Sequence, residues 1–70
     1  MYAIYSKIRD SKGMTDNAVA VAAGITQSTI YDWKQRSQKN PKAGLSIENL
    51  KKIAALFEVP VDRLLEEEEE

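Results

Sequence analysis

Between residues 34 and 42 the chain sets four cations, Lys34, Arg36, Lys39 and Lys42, with no acid among them. A run of that density can hold a polyanion through long-range attraction and charged hydrogen bonds. Other chemistry lacks its parts. The chain has no Cys and no His, so thiol nucleophiles, disulfides and the commonest metal ligands and general bases are missing. The composition argues against an enzyme and implies no cofactor. The formal net charge of -1 conceals the imbalance, because Glu66 to Glu70 supply five of the 11 acids. Residues 1–65 hold 10 bases against 6 acids. The acidic balance belongs to the tail and does not argue against an anionic partner.

The elements that must position these side chains follow from punctuation and periodicity. The 70 residues make one small domain, expected over 1–65, with 66–70 an acidic, disordered and solvated tail. No apolar run approaches the ~20 residues of a membrane span. No signal-like segment follows Met1, so a cytoplasmic protein with no membrane partner is expected.

Met1, Ile4, Tyr5 and Ile8 form one helical stripe, ended at Ser11-Lys12-Gly13. Thr15 is a good N-cap for Asp16 to Ala23, and Gly24 suits a sharp left-handed turn. Thr26 is the next N-cap candidate, opening a helix to about Gln35, while 35–45 reads as an exposed basic loop. Ser46 caps a helix with the stripe Ile47, Leu50, Ile53, Ala54, Phe57, and Pro60 opens a fifth carrying Val61, Leu64 and Leu65. The expected core is Ile4, Ile8, Val19, Ala20, Ala23, Ile25, Ile30, Trp33, Ile47, Leu50, Ile53, Leu56, Phe57 and Leu64. The predicted fold is all-α, a compact five-helix bundle.

The stretch Thr15 to Trp33, TDNAVAVAAGITQSTIYDW, has the spacing of a helix-turn-helix. Ala20 is small where a second helix must cross, and Gly24 makes the turn. Ile25, Ile30 and Trp33 bury the inner face of the second helix, leaving its short, polar outer face free. The same spacing would also pack a plain helical bundle. Here the sequence closely resembles the Cro/C1-type (XRE) helix-turn-helix family of phage repressors and bacterial regulators. GITQSTIYDW resembles the family's recognition-helix signature. Asn40-Pro41 matches its usual loop proline, and SIENLKKIAALFEVPVDRLL is similar to its fourth and fifth helices.

The resemblance implies a lambda repressor-like DNA-binding domain whose recognition helix, about 26–35, enters a major groove of double-stranded DNA. Its outward residues, Gln27, Ser28, Tyr31 and Asp32, would then face base edges. Gln can pair bidentately with adenine, Ser with either base type, and Asp can accept from cytosine N4. Family phosphate contacts carry over to Thr15, Asn17, Thr26, Lys34, Arg36, Ser37 and Lys39.

Three departures stand out. Asp16 occupies the place of a phosphate-binding Gln, Asp32 is an acid on the recognition helix, and Arg36-Ser37 replace a common Gly-Lys. The resemblance further implies a transcriptional regulator, a phage or prophage-type repressor, acting as a homodimer. Its fifth helix, or more weakly Val21 and Ala22, would supply the contact surface. The alternative is a helix-turn-helix module, or an antitoxin, that mainly binds a protein partner.

Overall fold

The computed structural model describes residues 1–65, so the tail expectation for 66–70 lies outside the described residues. Five helices and no strand occur among them: α1 (Tyr2–Ser11), α2 (Asp16–Ala23), α3 (Gln27–Lys39), α4 (Ile47–Phe57) and α5 (Val61–Leu65). This is the all-α architecture expected.

Most punctuation works as its chemistry predicts. Gly13 lies at φ +67° after α1, with its N–H on the Asp10 carbonyl and that of Met14 on Arg9. The Thr15 hydroxyl oxygen accepts from the Ala18 N–H at 3.1 Å. Gly24 closes α2 at φ +74°, and the Ile25 N–H returns to the Ala20 carbonyl at 2.9 Å. Thr26 stands at the N-cap of α3, but its hydroxyl pairs with that of Thr29 at 2.6 Å and caps no backbone N–H.

One stop differs from expectation. Residues 35–39 are helix, not loop, so the recognition helix runs well past Gln35. The reason is local: Arg36 occupies the position where a glycine would let the chain turn left-handed. The helix therefore continues until Asn40-Pro41, because the residue before a proline is pushed out of the α region. At the end of α4, Glu58 itself takes the left-handed conformation (φ 59°), with the Val59 N–H bonded back to the Ala54 carbonyl at 3.0 Å. Pro60 then precedes α5 by one residue.

The core is built from Tyr5, Val19, Ala20, Ile25, Ile30, Trp33, Leu50, Ile53, Ala54, Phe57 and Leu64. Ile8, Ala23 and Leu56 are half-buried against it. Ile47 is the core residue that fails: at the first position of α4 it is 54% exposed. Tyr5, absent from the expected core, is fully buried. Its ring lies 4.9 Å from Trp33 and 5.9 Å from Phe57, with Tyr2 edge-on to Trp33 at 5.1 Å. Leu64 is fully buried and Val61 half-buried, so α5 closes this chain's own core, and Leu65 remains exposed.

Candidate nucleic-acid interface

α2 and α3 form the corner of the fold. Ala20 is buried where they meet, and the left-handed Gly24 redirects the chain within one residue. Burial of Ile30 and Trp33 sets the rotation of α3, since a helix with one face anchored must present the opposite face outward. Two rows result. Gln27, Tyr31, Lys34 and Gln38 recur at i, i+4, i+7 and i+11, and Ser28, Asp32, Gln35 and Lys39 repeat that spacing beside them. All eight are exposed, Tyr31 by 64%.

The four residues expected at base edges therefore share one surface, joined by Lys34 and Lys39. Gln35 and Gln38 were missed as members of it. The signal was present in Arg36, whose substitution for a turn glycine prolongs the helix.

The remaining expected contacts divide. Thr15, Asn17 and Thr26 are exposed around the N-termini of α2 and α3. Arg36 lies on the flank of α3, its Nε donating to Asp32 Oδ2 at 2.8 Å and its Nη1 to the Gly44 carbonyl at 3.1 Å. Ser37 is set apart from the others: it is half-buried, one turn beyond Trp33, and its hydroxyl donates to the Lys34 carbonyl at 2.7 Å. Lys34 and Lys39 form no ion pair among the described residues.

The α3–α4 connection, rather than being slack, is tied to the helix. Trp33 Nε1 donates to the Ala43 carbonyl at 2.9 Å, and the Asn40 side-chain oxygen accepts from the Lys42 N–H at 3.0 Å.

Asp16 is a first-turn acid of α2, but its main partners come from α1. Tyr2 and Tyr5 hydroxyls donate to its two carboxylate oxygens at 2.8 and 2.7 Å, and Arg9 Nη1 donates to it as well. Burial pushes the Asp16 carboxyl up, but the hydrogen bonds from Tyr5, Arg9 and Tyr2 outweigh it and hold it below the usual carboxylate range. Burial and the bond to Asp16 raise the Tyr2 and Tyr5 hydroxyls above the usual phenol range. The carboxylate is thus neutralised from within and ties the N-terminus of α2 to α1. Tyr2, Tyr5 and Arg9 at i, i+3 and i+7 were the readable sign of this shared face.

Two packed helices joined by a left-handed glycine, with a polar and basic outer face on the second, define a helix-turn-helix module of the kind that enters a DNA groove. The family model for Helix-turn-helix matches residues 6–64, and the chain belongs to that family, of Cro/C1 type. It is accordingly a DNA-binding helix-turn-helix regulator. No match was found among curated proteins or solved structures. No helix of the described residues is long and apolar enough to cross a membrane.

Proposed function

We propose that the chain is a sequence-specific transcriptional repressor of the phage or prophage type, cytoplasmic in a bacterial host, that binds operator DNA as a homodimer. The observation that carries the reading is the continuous exposed face of α3, where Gln27, Ser28 and Tyr31 stand beside Lys34 and Lys39 with a buried anchor behind them. Gln27 and Ser28, in the first turn, meet base edges. Lys34 and Lys39, with Thr15, Asn17 and Thr26, meet phosphates that hold the register. One such domain reads few base pairs, so two copies about one helical turn (~34 Å) apart supply the address. Leu65 and the neighbouring edge of α5 are the dimer surface.

An amide-resolved NMR titration with a mixed-sequence duplex, at about 50 and about 200 mM salt, tests this. Amides across 26–42 are expected to shift at the lower salt and relax at the higher, because released counterions drive phosphate binding. If no amide moves at either salt, the reading fails. The exposed Val21 (71%) would then make a protein partner the better account.

A further inference from the structure

Asp32 is the one acid on the exposed face of α3, and a carboxylate facing a polyanion needs a reason. Its surroundings supply one. Asp32 Oδ2 accepts from Arg36 Nε one turn on, at 2.8 Å, and Arg36 Nη1 in turn donates to the Gly44 carbonyl at 3.1 Å. The three residues form a chain of hydrogen bonds from the outer face of α3 to the α3–α4 connection. The side chains are 67% and 46% exposed, so the ion pair adds little to folding and can be altered without unfolding the domain. Its larger effect is on charge. α3 carries three bases and one acid, and the acid is seated on the Arg.

We infer that Asp32 reads no base and acts instead as a positioning residue and brake: it holds Arg36 against the α3–α4 connection and cancels its charge, weakening attachment to every DNA sequence alike. The inference rests on the DNA-binding reading above. A brake of this kind lowers affinity for all duplexes by the same factor and leaves discrimination between them to Gln27 and Ser28.

The test compares the intact chain with Asp32→Asn, which removes the charge and keeps an acceptor for Arg36. Two probes are used: a duplex of about 20 base pairs selected by the intact chain from a randomised pool, and an unrelated duplex of the same length. One further neutralised phosphate scales affinity as salt to the power of about -0.9. The variant should therefore gain about fifteenfold at ~50 mM salt and about fourfold at ~200 mM, equally on both duplexes. On an Arg36→Ala background the gain should be smaller. Without DNA, the Arg36 Nε–Hε NMR signal should exchange slowly with water in the intact chain and fast in Asp32→Ala.

A loss of affinity confined to the selected duplex would make Asp32 a base reader and overturn the inference. So would unchanged affinity on both. If the intact chain itself binds neither duplex in a salt-dependent way, the DNA reading fails first and takes the inference with it.

Discussion

Replacing Asp16 by Ala should strongly destabilise the domain, although the residue sits at the surface end of α2. The carboxylate receives three donors, from Tyr2, Tyr5 and Arg9. Their fates differ after the substitution. Tyr2 is half-buried and can turn to water, and Arg9 retains Asp10 at 2.9 Å. Tyr5 has no exposed surface, so its hydroxyl is left without a partner. Stranding a buried donor costs about 1–3 kcal/mol. Weakening the Arg9 pair, whose guanidinium side chain is only 17% exposed, raises the total to about 3–4 kcal/mol.

A domain of this length is stable by only about 4–10 kcal/mol, so the loss is a large part of the whole. Trp33 is the only tryptophan and is fully buried, so urea unfolding followed by its fluorescence reads the effect directly. Tyr5→Phe should cost less, since it removes one charged hydrogen bond and strands nothing. A double-mutant cycle between the two should show coupling of about 1 kcal/mol or more. An Asp16→Ala loss below about 1 kcal/mol, under the range for a stranded donor, would refute the argument that this carboxylate ties α1 to α2.

The same cluster sets the pH response. Asp16 is depressed in the fold, so its contribution is complete above its unfolded value of ~3.9 and is lost as pH falls through the folded value. The raised Tyr2 and Tyr5 contribute fully below ~10 and lose that contribution as pH climbs beyond it. Melting temperature against pH should show both limbs in the intact chain, and an acid limb undiminished in Asp16→Asn would contradict this. Gly24→Ala meets open space at the added Cβ, so its expected cost of about 1–2 kcal/mol is purely that of a left-handed backbone. A neutral result in urea unfolding would mean the turn can relax to negative φ. Glu58→Gly relieves the same strain at the end of α4 and should stabilise by about 0.5–1 kcal/mol, read as a higher urea midpoint at unchanged slope. Lys39→Ala should weaken binding uniformly across sequences and reduce the salt slope by about one, whereas Gln27→Ala should relax preference at one base pair. A base-specific effect of Lys39→Ala, in competition binding against single-position variants, would reverse their assigned roles.

Local chemistry was legible without coordinates. Gly13 and Gly24 were readable as left-handed stops, because only a residue without Cβ takes that conformation cheaply. Thr15 and Ser46 were readable as caps, because a hydroxyl satisfies N–H groups that every helix leaves open. The 3.6-residue stripes predicted which faces of α3 and α4 turn inward, and with them the outward Gln27, Ser28, Tyr31 and Asp32. What the chain alone did not reveal depends on neighbours distant in sequence. Ile47 belongs to a clear apolar stripe, yet at the first position of α4 it is 54% exposed, while Leu50 in the same turn is buried. Tyr5 lies on the apolar stripe of α1 and Asp16 looks like an ordinary first-turn acid, and their hydrogen bond appears only when α1 and α2 are brought together. Burial then makes each necessary to the other. Asp32 and Arg36 acquire their meaning only when the Gly44 carbonyl returns alongside α3. Propensity and periodicity act within about one helical turn, and so sequence could determine the helices and their faces. The pairing of buried and charged groups is decided by how those faces meet, which only the tertiary structure contains.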